Sequence, residues 1–78
     1  MRRPPIQFVL CVDNAGNEAS LIRGKVYRAL PDVQAARDNL IRVVDESGED
    51  YLFAKKQFVT VEFPQAVRRK LLALQRAS

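Results

Sequence analysis

The sequence predicts a mainly β domain: a five-stranded barrel over about residues 8–63, followed by a C-terminal α-helix over about residues 64–77. Three observations lead to this prediction. Short runs of β-branched and aromatic residues recur along the chain and are separated by Gly, Asn, Asp and Pro. The last run ends at Pro64, and no residue after it interrupts a helical pattern. The chain has 78 residues, which is enough for one domain only.

Each predicted strand is a short run of apolar and aromatic residues that ends at turn-forming residues. The five strands are residues 8–12, 26–30, 40–44, 51–53 and 58–63. The second strand alternates its side chains and stops at Pro31, which cannot donate a ladder hydrogen bond. Residues 45–50 form a hairpin turn between the third and fourth strands, because Gly48 tolerates a positive φ.

Two connections have some helical character. Residues 33–39 contain good helix formers but are too few to sustain an isolated helix, so we predict a loop with one helical turn. Residues 54–57 are a short link between the fourth and fifth strands, for which we predict a 3₁₀ turn. The whole chain, 1–78, is then one domain: a barrel over 6–63 and a basic amphipathic helix over 64–78.

The C-terminal helix has an apolar stripe and a basic side. At about 100° per residue, Val67, Leu71 and Leu74 lie within about 60° of one another. The opposite side carries Leu72 surrounded by three arginines, namely Arg68, Arg69 and Arg76. We favour packing of the stripe on an open end of the barrel. The alternatives are a partner-binding or dimerising helix, and a helix lying on an anionic membrane surface.

The composition argues against catalysis and metal binding. The chain has no His and a single Cys, which excludes an intramolecular disulfide and a Cys-rich zinc site. We interpret Cys11, within an apolar run, as a small buried side chain. A barrel this small also lacks the concave pocket of about 300 Å³ that a substrate needs. We therefore predict a protein that is not an enzyme and that has no metal ion or cofactor.

The N-terminal sequence resembles a signal peptide only superficially. The apolar run 6–12 is short, is interrupted by Gln7, and lacks a small-residue cleavage site. No segment approaches the ~20 apolar residues that a membrane span needs. We therefore expect a cytoplasmic protein without a membrane span.

Charge is unevenly distributed along the chain. Residues 1–63 contain nine basic and nine acidic residues, whereas residues 64–78 contain four basic residues and no acid. The net charge of +4 therefore belongs to the C-terminal segment. Four carboxylates fall within residues 45–50, which we interpret as a solvated hairpin turn. A hard-cation site or a docking point for a basic partner is the alternative there.

Two segments resemble those of SH3-like barrels. Leu21 to Tyr27 resembles the Leu-x-x-Gly-Asp/Lys-x-hydrophobic entry to the second strand of such barrels. Gly48 to Val59 resembles the family segment that carries the fourth strand, the 3₁₀ turn and the fifth strand. The resemblance covers residues 8–63 and implies the same barrel. The chain is also similar to small, uncharacterised bacterial proteins of this barrel type, from which no activity carries over.

Departures from the family pattern argue against recognition of Pro-rich peptides. The chain has no Trp, and Ala54 and Phe58 stand where the family motif has Pro and Tyr. The loop 13–20 has no aromatic residue, so the aromatic pocket that a Pro-rich peptide needs is incomplete.

The predicted function is that of a non-enzymatic protein-binding or regulatory module. One candidate surface is the aromatic-bearing face around Tyr27, Tyr51 and Phe58. The other is the helix, through the residues Arg68, Arg69, Leu72 and Arg76. The alternative function is a nucleic-acid-binding barrel that uses the basic C-terminal helix as an electrostatic arm, because clustered bases neutralise phosphates.

Overall fold

The computed structural model describes residues 6–77, with the backbone alone for Arg76 and Ala77. The strands are β1 (Gln7–Cys11), β2 (Val26–Leu30), β3 (Leu40–Val44), β4 (Asp50–Ala54) and β5 (Phe58–Val61). The helices are α1 (Val33–Arg37), a 3₁₀ turn (Lys55–Gln57) and α2 (Gln65–Ala77).

The five strands form one antiparallel sheet in the order β4-β3-β2-β1-β5. The predicted mainly β architecture with a C-terminal helix is confirmed. β4 and β5 are the edges, and within residues 6–77 no backbone ladder joins them. The sheet nevertheless curls, because the rings of Phe53 on β4 and Phe58 on β5 meet with their centroids 6.1 Å apart.

The core lies on the concave face of the curled sheet. It is built from the buried side chains of Val9, Cys11, Leu21, Tyr27, Ala29, Val43, Phe53 and Phe58. Residues directly opposite each other in an antiparallel pair lie on the same face of the sheet. Val9 on β1 is opposite Tyr27 on β2, and both lie on the concave face. The prediction of a buried Cys11 is confirmed, and burial raises the pKa of its thiol.

Strand bounds differ from the predicted ones by one or two residues. β1 begins at Gln7 because Gln7 already pairs with Ala29 on β2. β4 extends beyond the predicted run at both ends, since Asp50 and Ala54 pair with residues of β3. β5 ends at Val61, where its ladder with β1 stops.

The first loop is held over one end of the sheet by side-chain hydrogen bonds. Asn14 donates to the carbonyl of Leu21 at 3.0 Å, and Asn17 donates to Oε1 of the buried Gln57 at 3.2 Å. The carbonyl of Ser20 accepts from the backbone N–H of Glu46 at 3.0 Å. The loop therefore closes the core instead of extending into solvent.

The helical turn predicted within residues 33–39 forms as α1. Asp32 caps it, because its Oδ1 accepts a hydrogen bond from the backbone N–H of Ala35 at 2.9 Å. The other carboxylate oxygen accepts from Nε of Arg42 at 2.8 Å. This shared carboxylate ties α1 to β3, and the two donors lower the pKa of Asp32.

The hairpin turn between β3 and β4 gives a local test of backbone strain. Gly48 has a φ of 84°, and apart from Gly48 and its two chain neighbours no residue has an atom within 4 Å of the Cβ that a substitution would add. We expect Gly48→Ala to lower the free energy of unfolding by about 1 kcal/mol through backbone strain alone. Gly48→Asn should cost less, because Asn tolerates this conformation. Chemical denaturation of both variants measures the difference, and equal losses would contradict the explanation.

Candidate functional site

α2 lies on the convex face of the sheet, with a partly polar surface turned inward. We call Arg68, Leu71, Leu72 and Gln75 the inner face of α2: they are spaced by three or four residues and all are partly buried. Gln75 borders a cleft of about 250 Å³ together with residues of β2 and of the hairpin turn. The half-buried Leu72 is thereby explained, because it lies on the side that packs.

Arg68 holds α2 against the sheet through two contacts. Its Nη2 donates to the carbonyl of Ile6 at 2.6 Å. Its guanidinium lies over the ring of Phe8, 5.1 Å from the centroid. Phe8 in turn packs edge-on against Phe63, with their centroids 5.7 Å apart. Arg68 is therefore a docking residue of the helix, with its guanidinium in contact with Ile6 and Phe8.

The apolar stripe of α2 is turned away from the sheet, which corrects the packing we favoured from the sequence. Val67 is 39% exposed and Leu74 is 68% exposed, whereas Leu71 is partly buried at the border of the inner face. We call Val67, Lys70 and Leu74 the outer stripe of α2. The physical reason for the rotation is Arg68, whose hydrogen bond and ring contact hold the side next to the stripe against the sheet.

Two further bases of the helix, Arg69 and Lys70, are available to solvent. Arg69 and Lys70 are exposed, and neither forms an ion pair with any residue described by the structure. The side chain of Arg76, the last of the predicted basic residues, lies outside the described part of the chain. The structure thus separates Arg68, which packs inward, from Arg69, which does not.

The aromatic surface predicted around Tyr27, Tyr51 and Phe58 does not form. Tyr27 and Phe58 are only 4% and 7% exposed, since both point into the concave core. Neither ring can stack on a ligand without opening that core. Tyr51 alone is exposed, and its hydroxyl donates to Oε2 of Glu49 at 2.7 Å, which raises the pKa of Tyr51.

Tyr27 instead anchors a polar network at the edge of the core. Its hydroxyl accepts from the backbone N–H of Ile22 at 2.8 Å and donates a short hydrogen bond to Glu46. Lys25 Nζ lies 2.7 Å from the same carboxylate oxygen. Donation from Lys25 and then from Tyr27 lowers the pKa of Glu46, while burial and the Glu46 contact raise the pKa of Tyr27.

The acidic turn uses its carboxylates in local contacts. Asp45 is buried and accepts from the backbone N–H and the hydroxyl of Ser47, at 2.8 Å and 2.5 Å. Asp50 pairs with Arg42 at 2.9 Å, and Glu46 belongs to the network of Tyr27. Within residues 6–77, no group of three or more His, Cys, Asp or Glu residues could hold a metal ion.

The sequence shows the apolar stripe of α2, but the prediction that this stripe packs on the barrel is wrong. The sequence pattern does not indicate Lys70 as a binding residue, because its exposed position beside Val67 and Leu74 depends on how the helix is rotated. The deciding contact joins Arg68 to Ile6 and Phe8, about sixty residues away in the chain. No local pattern contains that pairing.

Comparison with known proteins gives no relative for this chain. No family model, no curated protein and no solved structure matches it. The resemblance to SH3-like barrels stays a prediction from the sequence. Within residues 6–77, no helix is both long and apolar enough to cross a membrane.

Proposed function

We propose that this chain is a non-enzymatic protein-binding module and that it binds through the outer stripe of α2. One observation carries the proposal: the helix packs with Arg68 and Gln75 inward and leaves Val67 and Leu74 in solvent. Removing the apolar side chains of a helical stripe from water is favourable. A partner protein that covers the outer stripe would remove Val67 and Leu74 from water.

The contacts of α2 favour a protein partner over a nucleic acid. An arm that binds nucleic acid would point its basic side chains towards phosphates, whereas the side chain of Arg68 contacts Ile6 and Phe8. The aromatic rings expected to stack on bases belong mostly to the core, since Tyr27 and Phe58 are buried. A phosphate backbone offers Val67 and Leu74 no apolar surface to pack against.

The sheet and the cysteine support two further parts of the proposal. The succession of β4, a 3₁₀ turn and β5 supports an SH3-like barrel as the scaffold that carries α2. Cys11, the single cysteine of the sequence, is buried and is in no disulfide, which supports a reducing, cytoplasmic location.

The proposal is tested with a double variant of the outer stripe, Val67→Ser with Leu74→Ser. Ala66→Ser with Ala73→Ser is the matched control, because both alanines are exposed on the flank of the stripe and neither is one of the two apolar residues under test. A partner captured by the unchanged protein should bind the stripe variant about thirtyfold more weakly, if each lost contact contributes ~1 kcal/mol. Binding to the control should be unchanged, and isothermal titration with the captured protein measures both.

Two results would contradict the proposal. One is equal affinity of the captured protein for the stripe variant and the control. The other is a salt-dependent gel shift with bulk RNA or DNA that Arg69→Ala with Lys70→Ala weakens, which would favour the nucleic-acid function. The melting temperatures of the variants should match that of the unchanged protein, because the substituted side chains are exposed.

A further inference from the structure

We infer that the outer stripe of α2 binds an acidic amphipathic helix of another protein; this inference rests on the proposed function. Val67 and Leu74 are seven residues apart, which corresponds to about 10.5 Å along a helix. Lys70 lies between them on the same side. A partner that contacts both apolar residues must therefore repeat its own apolar residues along a similar line, as a helix does at i, i+3 or i+4, and i+7.

The charge around the stripe selects an acidic partner. The segment 64–78 contains four bases and no acid, and Lys70 is part of the stripe itself. Lys70 is exposed beside Val67 and Leu74 and forms no ion pair with any described residue, so a carboxylate on a partner helix would meet an uncompensated base. Such complementarity increases association rates and disfavours partners of the wrong sign.

The same charge argues against a second copy of α2 as the occupant. Two outer stripes packed together would bring the two Lys70 side chains near each other, with no acid on either helix to offset them. A lipid surface also fits poorly. Interfacial helices need a broad apolar face, preferably with aromatic residues, and this stripe offers Val67 and Leu74 with Leu71 half-buried beside them.

The inference is tested with two synthetic amphipathic peptides that share one leucine face. The first carries Glu beside that face and the second carries Lys. Fluorescence anisotropy should give a Kd about fivefold lower for the Glu peptide, the effect expected when Lys70 attracts one peptide and repels the other, each through one exposed pair of charges. Rising salt should reduce this difference.

Reversing the charge of Lys70 tests directly whether this residue selects the acidic partner. Lys70→Glu should weaken binding of the Glu peptide and strengthen binding of the Lys peptide. Lys56→Glu is the matched control, because Lys56 is an exposed base on the 3₁₀ turn, outside α2, and should leave both affinities unchanged. Equal effects of the two reversals would contradict a specific role for the outer stripe.

The remaining outcomes separate this inference from the proposed function. If a captured protein requires Val67 and Leu74 while the unchanged chain binds both peptides equally or binds neither, the acidic-helix inference is wrong and the proposed function stands. If the stripe variant changes no binding at all, both are wrong. Stripe-dependent binding to phosphatidylserine vesicles, with no binding to the Glu peptide, would replace the helix by a membrane surface.

Discussion

Phe8→Ala should lower the free energy of unfolding by about 3–5 kcal/mol, the usual cost of removing a buried aromatic ring. Phe8 has no solvent exposure, although it lies on the convex face of the sheet and outside the main core cluster. Its burial is due to what covers it: the edge of Phe63 and the guanidinium of Arg68. The substitution therefore removes a packed ring and the platform on which α2 rests.

The expected loss is large compared with the stability of so small a domain. Marginal domains have free energies of unfolding of only about 5 kcal/mol, so Phe8→Ala brings the chain close to the unfolding threshold. Phe8→Leu keeps part of the contact and should cost about 1–1.5 kcal/mol. Urea denaturation followed by circular dichroism measures both variants, and the milder one remains informative if Phe8→Ala does not fold.

Val59→Ala is the matched control for the convex face. Val59 pairs with Leu10, two residues from Phe8, and its side chain is 47% exposed. Its loss should lie below about 1 kcal/mol, since an exposed strand residue contributes little packing. If Phe8→Leu and Val59→Ala lower the stability equally, the convex face is not packed under α2.

The sheet was largely predictable from the sequence because its signals are local. The turn residues around Gly48 and Pro31 delimit runs whose β-branched and aromatic content favours strands. β2 and β3 have the predicted bounds. The ends of β1 and β4 differ because a ladder continues wherever a neighbour offers a partner, as Ala29 does for Gln7. Because Ala29 belongs to β2, the pattern of residues within β1 alone does not reveal this pairing.

The candidate site was less predictable, because it depends on contacts between distant segments. Helical periodicity shows which side chains share a face, but not which face the sheet covers. The cation–π contact of Arg68 with Phe8 decides this for α2 and leaves Val67 outside. The burial of Tyr27 and Phe58 was unpredictable for the same reason. The alternation of side chains along a strand is visible in the sequence, but which of the two faces becomes the concave side of the sheet is not.

Glu46→Gln should lower the free energy of unfolding by about 1–2 kcal/mol, because the buried hydroxyl of Tyr27 loses its charged acceptor. The carboxylate also accepts from Lys25, and it holds the hairpin turn against β2. Glu49→Gln is the matched control, since the side chain of Glu49, in the same turn, accepts a hydrogen bond from the exposed Tyr51 hydroxyl. Thermal melts at neutral pH compare the two, and equal losses would contradict the role of the network.

The pH dependence of Glu46→Gln distinguishes the loss of charge from the loss of shape. The pKa of Glu46 is lowered from its ordinary value of 4.5, chiefly by Lys25 and then by Tyr27. A carboxyl whose pKa is lower in the folded state stabilises the fold at pH values above its unfolded pKa, and this stabilisation is lost as pH falls through the folded pKa. The stability difference between the unchanged protein and Glu46→Gln should therefore be full at neutral pH and shrink below about pH 4.5. A difference that stays constant down to pH 2.5 would mean that the amide disrupts packing and that the charge of Glu46 contributes nothing to holding Tyr27.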